Sequence, residues 1–221
     1  MTPKNTTITL AMMRESLYSA AVADAIDQIG LRQQSPRVPL QPITGIHKLV
    51  GRCKTTLWID FDYEDHNSYE LELETVDSCL PDDIVICAGQ GSMRSAIWGE
   101  LLALAAKNAG CVGAIVDGAV RDITQMESMG FPVFARGGSV YDAMHRQKVV
   151  EYDIPVDIGG VRFNPRDLVI ADRDGIVVVP SEVEDEVIQR AWTKVHDENK
   201  VRDSIRNGMK AGEAWKKYGV L

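Results

Sequence analysis

Apolar residues recur at helical spacing between Met13 and Ile29: Leu17, Ala21, Ala25 and Ile29 fall four apart, with Val22 and Ile26 beside them. That stripe predicts one amphipathic helix over 13–29, with Gly30 as its stop. Residues 33–42 hold three prolines and read as a connector. The pattern then shortens to β-type runs over 48–59 and 84–88, while 69–76 alternates only loosely and fits strand or helix. Gly89-Gln90-Gly91-Ser92 interrupts the chain. Residues 98–108, rich in Leu and Ala, predict a helix ending at Gly110. A short strand over 112–116, a polar loop over 117–122, a helical turn over 123–129 and a strand over 132–135 follow. This alternation predicts α/β packing. Residues 153–163, 168–171 and 176–179 return to β texture, with Asp174-Gly175 as a hairpin turn. Ser181 and Glu184 have the spacing of a capping box, and Val183, Val187, Ile188, Ala191 and Val195 mark a final amphipathic helix running to Asn207, capped by Gly208. Its second half, 197–206, is nearly all polar and predicts a segment in water or one reaching a polar site, on another subunit for example. Residues 1–180 thus read as one α/β domain including the N-terminal helix, and 181–221 as a helical extension of that domain.

Composition narrows the function. The 221 residues are 45% hydrophobic and 25% charged, as in ordinary globular chains. Twenty-four basic against 32 acidic residues give a net charge of −8, which disfavours nucleic acid as a partner. No run of 18 apolar residues predicts a membrane span, and the first 15 residues lack a secretory apolar core. Cys53, Cys79, Cys87 and Cys111 are scattered with no CxxC pair, so buried thiols in a reducing cytoplasm are expected rather than a zinc cluster or disulfides. His47, His66, His145 and His196 are dispersed, and Tyr63-Glu64-Asp65-His66 reads as a solvated acidic loop.

The sharpest constellation spans 89–122: a glycine-rich turn, a helix with Glu100 near its start, a strand, and Asp117, Arg121 and Asp122 beyond it. Strand ends and helix N-termini are where α/β structures bind anions. Arg121 has the planar fork that grips a small carboxylate through two hydrogen bonds. Asp122 offers oxygen to a divalent cation, and one or two carboxylates with waters is the usual Mg²⁺ pattern. Residue types alone leave a second reading open, a turn in which Asp117 caps backbone amides beside a surface Arg–Asp pair. No GxxxxGK[ST] or HExxH motif occurs, and Gly89-x-Gly91 lacks the third glycine of a dinucleotide fingerprint.

The stretch AIWGELLALAAKNAGCVGAIVDGAVRD, followed by GFPVFARG, resembles the RraA-like superfamily, which contains 4-hydroxy-4-methyl-2-oxoglutarate and 4-carboxy-4-hydroxy-2-oxoadipate aldolases as well as ribonuclease E regulators. The aldolases carry an acidic residue, twenty intervening residues, then Arg-Asp; Glu100, residues 101–120 and Arg121-Asp122 fit that spacing. The likeness runs from Ser19-Ala20-Ala21-Val22 to the closing DRDGIVVVP. It implies a compact three-layer α/β fold like swivelling phosphohistidine domains, with a C-terminal helical extension, assembled as a homotrimer or hexamer with sites between subunits. It implies that Arg121 binds the pyruvyl carboxylate, that Asp122 holds Mg²⁺ or Mn²⁺, and that Gly99 and the amides near Leu101 and Leu102 help to hold substrate. Glu100 would orient a water or support the metal, and Glu198 best matches a glutamate reaching a neighbouring subunit's site. The chain departs from the pattern in having Glu100 where many members have Asp. Pro81-Asp82-Asp83 and Pro165-Arg166-Asp167 stand in place of Pro-Gly-Asp turns, changes expected to act on local backbone geometry. Gly138-Ser139-Val140 follows Ala135-Arg136-Gly137 without a common proline, nearer the site.

The function implied is a divalent-metal lyase that cleaves a small 2-oxo acid to release pyruvate, with oxaloacetate decarboxylation as a side activity. No lysine lies in the 99–122 motif except Lys107, so a Schiff base is not favoured. The alternatives are a regulator that binds ribonuclease E, disfavoured by the roughly 40 residues after Pro180, and a superfamily enzyme acting on a sugar-acid derivative.

Overall fold

The computed structural model describes residues 7–219. Its centre is a mixed sheet in which β2 (Leu49–Asp60), β3 (Asp83–Ala88), β4 (Gly113–Val120) and β5 (Val133–Gly138) run parallel as neighbours. The short β1 (Gln41–Pro42) pairs antiparallel outside β5. The long β2 serves two partners on its other edge. Its first residues pair antiparallel with β9 (Leu168–Ala171), which forms a hairpin with β10 (Ile176–Val179), and its last residues pair with β6 (Gln147–Tyr152) after a register shift at Leu57/Trp58. Strands β3 and β4 are buried along their whole length, which is why they read as continuous apolar runs rather than as alternation.

Successive residues of these strands feed different cores. Val85 and Cys87 of β3, with Ala114 and Val116 of β4, pack under α3 (Glu70–Asp77), α4 (Glu100–Asn108) and α5 (Ile123–Ser128). Ile84, Ile86 and Ile115 face the hairpin of β7 (Val156–Ile158) and β8 (Val161–Phe163), whose turn glycines Gly159 and Gly160 both have positive φ, as a tight hairpin turn requires. A third cluster joins Val50, Leu168, Ile170, Val177 and Val179 to α1 (Leu10–Ser16), α2 (Ser19–Gln28) and α6 (Glu184–Arg206). Each fully buried branched side chain in these layers contributes about 1.5–3 kcal/mol.

Several expectations are corrected. The predicted 13–29 helix is two helices, because the chain extends at Leu17 and Tyr18. The break is anchored: the Ser19 amide and hydroxyl donate to Asp172 at 2.7 and 2.6 Å, and Arg14 at the end of α1 donates to the Val50 carbonyl. The apolar stripe survives the break, with Leu17, Ala21, Val22, Ala25 and Ile26 all buried. The ambiguous 69–76 segment is the helix α3. The polar loop expected at 117–122 is mostly strand: β4 continues to Val120, and buried Asp117 accepts from Arg136 Nε at 2.5 Å, tying β4 to β5. The Ser181–Glu184 capping box does not form. A 3-10 turn covers Ser181–Val183, the Ser181 amide donates to Asp167, and Glu184 instead forms an ion pair with Arg52.

Three elements leave no clear mark in the sequence pattern, β1, β6 and α7 (Ala211–Tyr218); α7 packs back on the polar half of α6, where Val201 and Ala214 are buried. At the two altered turns, Asp82 and Arg166 hold positive φ where the usual turn has glycine. Both are compensated by ion pairs, Arg14–Asp82 at 2.5 Å and Arg166–Asp83, so the substitutions also bind neighbouring segments together. The four cysteines are buried free thiols. No helix among the described residues is long and apolar enough to cross a membrane.

Candidate active site

A cleft of about 470 Å³ opens where the C-terminal end of β4 meets the N-terminus of α4. The segment before α4 is held there by a bridge from Ala96 to both Ala119 and Asp142, and the Arg121 amide donates to the Trp98 carbonyl at 2.9 Å. Gly99, Glu100, Leu101, Leu102, Arg121 and Asp122 all line this cleft, so the strand end and the helix start singled out in the sequence converge in space. The Gly89–Ser92 turn does not. It packs beside Arg136 and Asp60, away from the cleft.

A continuous polar chain runs along one wall. Tyr69 donates to Asp142 Oδ1, Arg121 Nη1 donates to Asp142 Oδ2 at 2.6 Å, Arg121 Nε lies 3.6 Å from Asp122 Oδ2, and that same oxygen accepts from the Glu100 amide at 3.3 Å. Asp142 therefore aims the guanidinium, leaving Nη2 for a ligand. Burial pushes the Asp142 carboxyl up, but hydrogen bonds from Tyr69, the Met144 amide and Arg121 outweigh it and hold the group below the usual carboxylate range. Burial and then the bond to Asp142 raise the Tyr69 hydroxyl. The Leu101 and Leu102 amides lie in the first turn of α4, where no intrahelical acceptor exists, and they favour an anion.

The local backbone is shaped for this contact. Asp122 has φ 55° and ψ 38°, left-handed values that Asp tolerates better than most residues. Gly99 admits the close approach: a Cβ there would lie 2.9 Å from Asp122 Oδ2 and 3.2 Å from Arg121 Cγ.

Three residues of the wall escaped the sequence reading: Tyr69, Glu72 and Asp142. Glu72 is 6% exposed and lines the cleft, and its Oε2 is walled off from solvent without a hydrogen-bond partner. Burial, then the charge of Asp142, raises its carboxyl to about 8 against the opposing pull of Arg121. The signal for it was an acidic residue on the stripe 72, 75, 76, 79, whose other members, Thr75, Val76 and Cys79, are buried at helical spacing. The Trp98 indole N–H is likewise buried in the cleft wall without a partner.

Glu198 lies outside the cleft of its own chain. Its carboxylate accepts from Tyr18 and pairs with Lys194 at 3.0 Å and Arg202 at 3.7 Å. Among the described residues no group of three or more His, Cys, Asp or Glu side chains is placed to share an ion. Of the four carboxyl groups lining the cleft, Asp142 is paired with Arg121 and Glu72 is buried, which leaves Asp122, with Glu100 at the start of α4, as the oxygen donors open to a cation. That sparse oxygen set fits a hard cation which keeps several waters and takes the rest of its shell from substrate.

The chain has relatives among known proteins. Residues 19–178 match the family model RraA-like, described as Aldolase/RraA. A Halalkalibacterium halodurans protein named "Putative 4-hydroxy-4-methyl-2-oxoglutarate aldolase" is 32% identical over 200 residues, covering 90% of each chain. The solved structure of an uncharacterized protein from Pseudomonas syringae pv. tomato superposes with a TM-score of 0.81 at 25% identity, covering 93% of this chain and 95% of that one. RraAS2 of Streptomyces coelicolor, described as an unusual member of the RNase ES inhibitor RraA protein family, superposes with a TM-score of 0.77 at 25% identity, covering 87% and 94%. With the fold matched over nearly its full length and the family model over 19–178, the chain belongs to the RraA-like family.

Proposed function

We propose that the protein is a divalent-metal-dependent carbon–carbon lyase that cleaves a small 2-oxo acid and releases pyruvate, with oxaloacetate decarboxylation as a side activity. The observation that carries this reading is the meeting of Arg121, Asp122 and the first-turn amides of α4 in one cleft. The relative named as an aldolase supports the same reaction class.

Arg121 binds the carboxylate that all such substrates share, through the donors Asp142 leaves free. The Leu101 and Leu102 amides add two hydrogen bonds to the same anionic end. When Mg²⁺ or Mn²⁺ is held by Asp122, it supplies Lewis-acid stabilisation of the negative charge that develops on the pyruvyl oxygen. Glu100 orients water at the mouth, and the Trp98 and Ile97 wall excludes it deeper in. Arg121 stabilises the same developing charge.

The second reading, a ribonuclease regulator, draws on the Streptomyces neighbour. A binding protein needs no fixed carboxylate grip inside a cleft, whereas here Tyr69 and Asp142 are committed to aiming Arg121. The test is a pyruvate-release assay over a panel of 2-oxo acids, with and without Mg²⁺, on wild type and Asp122→Asn. Asn keeps the left-handed backbone and removes only the anionic oxygen. Metal-dependent turnover by wild type, lost in the variant, is the expected result. Absence of turnover over the whole panel, or an equal rate in the variant at limiting Mg²⁺, refutes it.

A further inference from the structure

Glu72 is a carboxyl group in a catalytic cleft with nothing to do structurally. It makes no hydrogen bond and no ion pair with any described residue, although it is nine-tenths buried and faces the same cavity as Arg121. The two aspartates on that wall are each engaged, since Asp142 aims Arg121 and accepts from Tyr69, and Asp122 accepts from the Glu100 amide. A buried carboxylate without a partner is costly in its charged form, and a neutral one holds a proton it can give away.

We infer that Glu72 is the proton donor of this site and delivers its carboxyl proton to C3 of the pyruvate enolate, an assignment that rests on the lyase reading. When the C3–C4 bond breaks, its electron pair remains on the pyruvyl fragment as the enolate, and the C4 hydroxyl gives its proton to water as the C4 carbonyl forms. The Glu72 O–H bond then breaks as the C3–H bond forms and the C2 carbonyl is restored. Glu72, now a carboxylate, regains a proton from water. Run backwards, the Glu72 carboxylate removes a C3 proton from bound pyruvate, so the methyl protons exchange with solvent.

The surrounding groups leave this role to Glu72. Tyr69 and Asp142 face it from its own helix start and from the 139–144 segment, Arg121, Asp122 and Glu100 face it across the cleft, and Cys87 lies behind it on β3. Burial keeps the Cys87 thiol neutral up to about 12, the Tyr69 hydroxyl is also raised, and Asp142 is lowered. Among these displaced groups, Glu72 is the one that changes charge near pH 8.

The test is hydrogen–deuterium exchange of the pyruvate methyl group, followed by proton NMR in D₂O with Mg²⁺, for wild type, Glu72→Gln and Glu72→Asp. Gln matches the shape and neutrality of the protonated acid, so the fold is retained. Expected are a wild-type exchange rate that rises with pH through about 8, a loss of roughly 100-fold or more in Gln with that pH limb gone, and partial rescue by Asp. Pyruvate affinity should change by less than about threefold, because Glu72 does not hold the carboxylate. Exchange in Gln at the wild-type rate and with the wild-type pH profile overturns the assignment. Wild type that exchanges pyruvate but cleaves no 2-oxo acid overturns the lyase reading and leaves Glu72 as the proton-transfer group. Wild type that cleaves while Gln exchanges normally overturns Glu72 alone, and a wild type that does neither overturns both.

Discussion

At the scale of single residues, the site is a contest between burial and charge, and Glu72 records the outcome. Its folded-state value, raised to about 8, lies well above the ordinary carboxyl range of the unfolded chain. Below about pH 4 both states hold the proton and the group costs nothing. As pH rises the unfolded chain ionises first, so stability is lost progressively until the folded group also ionises near 8. Relative to Glu72→Gln, wild type should therefore lose about 1.4 kcal/mol per pH unit within that window. Urea denaturation of both proteins at pH 5, 6.5 and 8 measures it; parallel stability curves would contradict the burial argument. Arg121, Asp122 and Glu100 were legible because their spacing places them at a strand end and a helix start. Glu72 and Asp142 were not, since each lies far in the chain from the 99–122 motif, and only the fold brings them to Arg121.

At the scale of elements, the apolar texture of β3 and β4 and the Leu/Ala stripe of α4 followed from residue type, and the cleft sits where those elements meet. Periodicity could not reveal the break in the N-terminal helix, because the stripe of buried residues continues across it and the cause is the distant Asp172 carboxylate. The capping box failed for a similar reason: Arg52 on β2 outcompetes the local partner for Glu184. Gly99 shows what element packing demands of one residue. A methyl group there would press 2.9 Å from Asp122 Oδ2 and 3.2 Å from Arg121 Cγ, so these two side chains must turn away or the α4 start must shift. Gly99→Ala should lower kcat/KM by roughly 10- to 100-fold through misplacement of Arg121 and Asp122. Unfolding stability should change by less than about 1 kcal/mol, since the contact is at the cleft mouth. A large stability loss with unchanged kcat/KM would make Gly99 a packing residue only.

At the scale of the whole molecule, apolar side chains stand in water at and near the cleft: Leu73 and Leu101, which line it, are 52 and 76% exposed, and Val140 and Tyr141, which precede Asp142 in the chain, are 87 and 60% exposed. Large exposed apolar residues gathered at one place mark a contact surface. Together with the sequence resemblance, this leads us to expect a trimer or hexamer whose neighbouring subunit closes the mouth. Such an assembly would also be the route by which Glu198, outside the cleft of its own chain, reaches a neighbour's cleft. Light scattering at micromolar concentration should give three or six times the chain mass, and Leu101→Glu should lower it; a monomer of full activity would mean that the cleft is complete within one chain. Under the proposed function, Arg121 grips the carboxylate of a 2-oxo acid whose carbon–carbon bond is broken in this cleft. The most direct measurement is kcat/KM for pyruvate release by wild type and Arg121→Lys. A single ammonium cannot both satisfy Asp142 and fork onto the substrate, so the variant should lose roughly 10- to 150-fold on every 2-oxo acid turned over. A lysine variant equal to wild type would make Arg121 structural, and a wild type that releases no pyruvate would rule out the lyase.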